Sequence, residues 1–252
     1  MLPPLIFKHK KRLESKLSSV NDNWDSLVKL LEWTTKPRSL YAQQNKERNQ
    51  LIVWGETDRW NGLKYVRQFL IKNPQAVLII SGGVYGREKS IGDIGSINLF
   101  KKLEKDLLTR HYREEDIKSN VIIDSLSRHT GDQGKIIASL FKPLSPKEVF
   151  IVIPLYHMPR FLLSIGFNLK KQKIKPNIIP VAYGTWDSCH PQKRPLKRKK
   201  TYTYEELFVR PPSSSIFQDK FDCGEIDKIV QQVRNKNCLT FKEFINWFNI
   251  IS

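Results

Sequence analysis

Cysteine is scarce in this chain: Cys189, Cys223 and Cys238 are the only three in 252 residues, and none forms a Cys-x-x-Cys pair. An odd, sparse count fits free thiols in a reducing compartment. Cys189-His190 has no second pair to complete a metal site, so we read it as a non-ligand and expect no metal. Acidic residues are in deficit, 25 against 43 Lys and Arg, for a formal net charge of +18. That excess favours anionic partners: nucleotides, phosphates, nucleic acid or an acidic surface. No apolar run reaches the roughly 20 residues that a spanning helix needs. Near the start, a short apolar stretch with two prolines (Met1 to Phe7) precedes the basic run Lys8 to Arg12 instead of following it. This is the wrong order for a secretory signal, and the expected location is the cytoplasm.

Several chemical signatures are missing as well. The first predicted strand ends in Gly55-Glu56-Thr57-Asp58, without the Gly-x-Gly-x-Gly loop of a usual methyltransferase. A Ser-His-Asp hydrolase can be drawn from Ser81 or Ser127 with His157 and Asp124, but there is no Gly-x-Ser-x-Gly elbow. A metal hydrolase would want more convergent ligands than His157, Asp124 and Asp132. No internal repeat is found.

What is present is organised around Ala76-Val77-Leu78-Ile79-Ile80-Ser81-Gly82-Gly83. An unbroken apolar run ending in a Ser-Gly-Gly turn reads as a strand buried on both faces, as in a parallel sheet. Further strands are predicted at 51–55, 121–123, 149–154 and 177–181, alternating with helices near 61–71, 96–108, 130–141 and 159–171. The alternation predicts a Rossmann-like, doubly wound α/β fold: a mostly parallel sheet of about five strands with helices on both faces. We divide the chain into an N-terminal helical and loop segment (1–49), the Rossmann-like domain (50–186) and a basic linker with a small helical C-terminal extension (187–252). Residues 1–20 are expected to be mobile at their start, and a helix is predicted from Asn21 to Trp33. The basic stretch His190 to Lys200 reads as a solvated linker, with a second linker at Pro211 to Ser215. Thr240 and Glu243 form a capping box for a last apolar-faced helix, expected to dock.

In such a sheet the carboxyl ends of the strands share one edge, where ligands bind. The candidates there are Gly55 and Glu56, then Ser81, Gly82 and Gly83, then Asp124, Ser127, Thr130 and Asp132, and finally Tyr156, His157 and Arg160. Glycine turns bring bare N–H groups to a ligand, and Thr130 is placed to cap a helix whose N-terminus would hold an anion. Arg160 suits a phosphate or carboxylate. His157 suits proton transfer, with Asp124, Asp132 or Glu56 to orient it, or a purely structural role.

These residues, in this order, resemble the three signatures of the YdcF/SanA/ElyC family. They are Ser81-Gly82-Gly83, the stretch Ile122 to Gln133, and Tyr156-His157-Met158-Pro159-Arg160. Asp124, Ser127 and Thr130 fall on the second signature, where His129, Asp132 and Gln133 replace its Asn, Glu and Asn. The Tyr-His-x-x-Arg signature is intact. The family's Ser-Glu-Ala after Ser-Gly-Gly is absent, and Asp93 is the nearest carboxylate. The resemblance covers about residues 50–182. It implies a Rossmann-like fold with a pocket for a small anionic or nucleotide-type ligand, S-adenosylmethionine among the candidates, and transferase or hydrolase chemistry as the enzymatic options. The alternative is a nucleic-acid or anionic-surface binder acting through Lys193 to Lys200, with Tyr202 and Tyr204 beside it.

Overall fold

The computed structural model describes residues 3–36, 50–55, 62–82, 95–110, 113–127, 129–192, 200–209 and 224–250. In chain order, the elements begin with helices α1 (Pro4–Lys8), α2 (Lys10–Ser18) and α3 (Trp24–Thr35). The alternating region follows as β1 (Gln50–Gly55), α4 (Leu63–Lys72), β2 (Val77–Ser81), α5 (Gly95–Leu108), α6 (Glu114–Ser119), β3 (Val121–Ile123), α7 (Thr130–Leu144), β4 (Glu148–Pro154), α8 (Met158–Lys171) and β5 (Asn177–Tyr183). Last come β6 (Cys189–Gln192), β7 (Lys200–Thr203), α9 (Tyr204–Val209), α10 (Glu225–Arg234) and α11 (Phe241–Phe248). Among the described residues, no helix is long and apolar enough to cross a membrane.

The chain divides into two compact units, and the division is not consecutive in sequence. One comprises Met1–Lys36, Leu155–Phe167 and Gly184–Ser252; the other comprises Pro37–Pro154 and Asn168–Tyr183. We call them the helical unit and the sheet unit.

The sheet unit carries a five-stranded parallel sheet in the order β3-β2-β1-β4-β5. Its apolar runs lack alternation because both faces are covered. On one face Ile52, Trp54, Leu78, Ile80, Phe150, Val152 and Tyr183 pack with Val66 and Phe69 of α4, Leu99, Leu103 and Leu107 of α5, and Ile117 of α6. The Phe69 and Phe150 ring centroids lie 4.5 Å apart. The alternate residues Leu51, Val53, Ile79, Val149 and Ile151 are equally buried, and α7 packs against β2. Pro180, which has no N–H for a ladder, lies in β5 at the sheet edge, where proline is tolerated. After β3 the chain passes to the other side of β1 to form β4, so the strand order reverses between β1 and β4. That reversal is the topological switch point at which open α/β sheets form a ligand crevice.

The helical unit adds two helices that the sequence reading did not predict and corrects one expectation. Over residues 4–18, α1 and α2 bury Ile6, Leu13 and Leu17 completely. Their basic side chains cover one face while three apolar residues anchor the other. The stretch from His190 to Lys200 is not wholly a linker, because its ends pair as an antiparallel ribbon, Cys189 opposite Thr203 and Gln192 opposite Lys200. Residues 193–199 and 211–215 lie outside the described residues. The capping box of α11 forms as expected, with Glu243 N donating to Thr240 Oγ1 at 3.1 Å and Thr240 N donating to Glu243 Oε2 at 3.0 Å. Asp22 accepts from the backbone N–H groups of Phe241 and Lys242, so the loop before α3 caps the start of α11 a second time. Gly166 of α8 is where the Phe244 ring lies: a Cβ there would sit 2.6 Å from it.

Candidate functional site

The carboxyl edge of the sheet is built by strand ends that cannot avoid meeting. Gly55 and Ser81 are register partners at the ends of β1 and β2, and Asp124 follows β3 with its N–H donating to Ile80 O at 2.9 Å. Ser81 Oγ donates to Asp124 Oδ2 at 3.2 Å. Asp124 Oδ1 accepts from Leu126 N at 3.1 Å and Ser127 N at 3.0 Å, a side-chain turn that folds the chain back toward α7. Ser96, in the first turn of α5, donates to Asp124 O at 2.6 Å. Asp124 is therefore the bracket of this edge, with both carboxylate oxygens engaged. Gly82 takes φ +154°, which favours glycine at the turn.

Two residues on this edge stand out. Ser127 is 2% exposed, and its hydroxyl has no hydrogen-bond partner among the described residues. Leu126 beside it is 78% exposed, an apolar side chain facing water. The cap of α7 is a correction: His129, not Thr130, caps it, its Nδ1 accepting from Asp132 N at 3.2 Å. The imidazole proton is thus on Nε2, which lies 3.5 Å from Asp132 Oδ2. Thr130 is the first residue of the helix and is buried. Glu56, Gly83, Asp93 and Arg128 lie outside the described residues, as does Lys193 to Lys199.

His157 and Arg160 belong to the helical unit. They stand three residues apart at the start of α8, so they share one face, and Pro159 is tolerated in that first turn. The carboxylate on His157 comes from Glu225, the first residue of α10. Glu225 Oε2 lies 3.0 Å from His157 Nδ1 and 2.7 Å from Arg160 Nε, and Oε1 accepts from Lys228 Nζ at 2.8 Å. Arg160 Nη2 also lies 3.2 Å from His157 Nδ1. Burial pushes the Glu225 carboxyl up, but Arg160 and Lys228 outweigh it and hold the group well below the usual range. Burial, then Arg160, pushes the His157 imidazole down. These shifts favour an ionised Glu225 and a neutral His157, whose Nδ1 faces both an acceptor, Glu225 Oε2, and a donor, Arg160 Nη2, and serves one or the other according to its tautomer. Tyr156 packs edge-on against Tyr204, ring centroids 4.9 Å apart. Cys238 is buried and its thiol is pushed up to about 12 by desolvation, so it is no nucleophile.

Of the residues singled out from sequence, Ser81, Asp124 and Ser127 converge in one unit, and Tyr156, His157 and Arg160 lie together in the other. Sequence reasoning missed Glu225 and Lys228. Their spacing looks like an ordinary i, i+3 pair on a solvated helix, and nothing local shows that Glu225 is buried against His157. Comparison with known proteins finds no family model that matches this chain and no curated protein that matches it.

Proposed function

We propose that this chain is a YdcF-like protein that binds a small anionic or nucleotide-type ligand at the carboxyl edge of its parallel sheet. The observation that carries this is the buried, unpartnered hydroxyl of Ser127, just before the N-terminus of α7. A buried hydroxyl without a partner costs about 1–3 kcal/mol, which a ligand oxygen accepting from it would offset. The N-terminal N–H groups of α7 and the Ser81-Gly82 turn favour negative charge at the same edge. The switch point between β1 and β4 lies on the same carboxyl edge of the sheet, and the net charge of +18 favours an anion. Gly55 and Thr130 complete the proposed lining. Asp124 acts in it as a positioning residue. S-adenosylmethionine, nucleotides, sugar nucleotides and phosphate esters are the candidates.

A thermal-shift screen over those four classes tests the proposal. A ligand at 100 times its Kd stabilises by about 2.7 kcal/mol, and its shift should shrink in Ser127→Ala and in Gly82→Val. A screen in which nothing raises the melting temperature, or a hit equally strong in both variants, removes the edge as the site. A hit that is lost on deleting residues 193–200 and falls steeply with salt favours the basic segment instead.

A further inference from the structure

In the helical unit, two cations and one imidazole ring converge on a single carboxylate. One cation per carboxylate is enough for a buried ion pair. Among the described residues, Glu225 is the one carboxylate in ion-pair contact with Arg160 and Lys228, so two cations share one carboxylate. The two oxygens face different groups: Oε2 lies 2.7 Å from Arg160 Nε, an ion pair in which Nε makes no hydrogen bond, and 3.0 Å from His157 Nδ1, while Oε1 accepts from Lys228 Nζ. That is how a protein grips an oxyanion, and a phosphate dianion would present the same oxygens while balancing the second positive charge. The carboxylate is 3% exposed, whereas Arg160 and Lys228 are 17% and 21% exposed, so the cationic walls reach solvent and the occupant does not.

We propose that Glu225 is an internal ligand: its carboxylate fills an oxyanion site built by Arg160, Lys228 and His157, and so keeps that site closed to external phosphate-bearing anions. The Tyr-His-x-x-Arg segment then serves in this chain as the receptor for the start of α10. Arg160 sets its guanidinium charge against Oε2, the His157 ring borders the same oxygen, and Lys228, on the same helix as the occupant, remains beside the site when the Glu225 side chain is removed. This site is independent of the one proposed on the sheet edge, since it uses no residue of the sheet unit.

The test uses the full chain and inorganic phosphate, measured by calorimetry and by melting temperature at constant ionic strength. Glu225→Ala should bind phosphate about ten-fold or more tightly than the wild type, and adding Arg160→Ala to that variant should abolish the gain. Dependence on Arg160 separates this site from the sheet edge and from the basic segment, either of which could hold phosphate on its own. Removing one partner of a buried ion pair is strongly destabilising, so Glu225→Gln, which keeps the volume and removes the charge, is run in parallel. Phosphate affinity unchanged from wild type in a folded Glu225 variant overturns the proposal, as does wild-type binding of equal strength through Arg160. Failure of both variants to fold also overturns it, because the carboxylate is then an obligatory structural partner and not a removable occupant.

Discussion

In the sheet unit, Asp124 satisfies its carboxylate with two backbone N–H groups two and three residues on and with Ser81 on the neighbouring strand. In the helical unit, buried carboxylates reach across the whole chain: Asp22 to Phe241 and Lys242, Glu205 to the N–H of Ile6, and Glu225 to His157. The backbone ladder already fixes the relative positions of the strands, so side chains at their ends are free to shape a turn and leave a hydroxyl over. Helices have no ladder between them. Their arrangement here is pinned by side-chain bonds between segments distant in sequence, including Arg12 with Asp227 and with Val209 O. At the sheet edge the Ser127 hydroxyl is left without a partner among the described residues, whereas the carboxylates of Asp22, Glu205 and Glu225 in the helical unit are committed to groups distant in sequence.

The largest effect that could break this contrast is expected at Arg160. Arg160→Leu leaves Glu225 buried with only Lys228 and His157, and should cost about 3–5 kcal/mol in urea unfolding. A loss below about 1 kcal/mol would mean that the long-range pairing carries little of the helical unit's stability. Next comes packing. Gly166→Ala puts a Cβ against the fully buried Phe244 ring, and should cost about 1–3 kcal/mol by overpacking; an unchanged midpoint would show that the ring can give way.

Acid should distinguish the units more finely. His157 is held below its ordinary 6.5, so the unfolded chain takes up a proton first. Its contribution is fully present above pH 6.5 and is lost as pH falls below that value. Glu225, also depressed, adds a loss below 4.5. Asp22, whose carboxyl is pushed up by burial, works in the opposite sense from 3.8 upward. Each proton gives a slope of up to about 1.4 kcal/mol per pH unit. His157→Gln should flatten unfolding free energy against pH just below 6.5; an identical slope in the variant would assign the acid sensitivity elsewhere.

The smallest effect sharpens the other side of the contrast. Ser127→Ala removes a buried hydroxyl that has no partner among the described residues, so stability should be unchanged or rise by up to about 1 kcal/mol. A clear loss of stability in the absence of ligand would show that the hydroxyl is bonded in the folded protein, and the case for a ligand at Ser127 would fall with it.

Much of the sheet unit was legible beforehand. Leu51 to Trp54 and Val77 to Ile80 are unbroken apolar runs closed by Gly55 and by Ser81-Gly82, and such runs have few solutions other than buried parallel strands. The edge residues followed from that, because parallel strands deliver their ends to one side. The cap of α7 was misassigned because Thr130 has the better capping propensity, while His129 has the extended backbone that the position requires. The helices of the first 20 residues were obscured by their basic composition, which conceals the burial of only three apolar side chains.

The sequence by itself determined the strands, their parallel pairing and the cluster of Ser81, Asp124 and Ser127, since periodicity and turn chemistry are properties of neighbouring residues. Only the tertiary structure decided that Glu225 meets His157 and Arg160, that Asp22 caps α11, and that both chain ends fall in one unit. Those contacts join residues 65 to more than 200 positions apart. A carboxylate's local sequence is the same whether it faces water or an arginine, and only packing distinguishes the two.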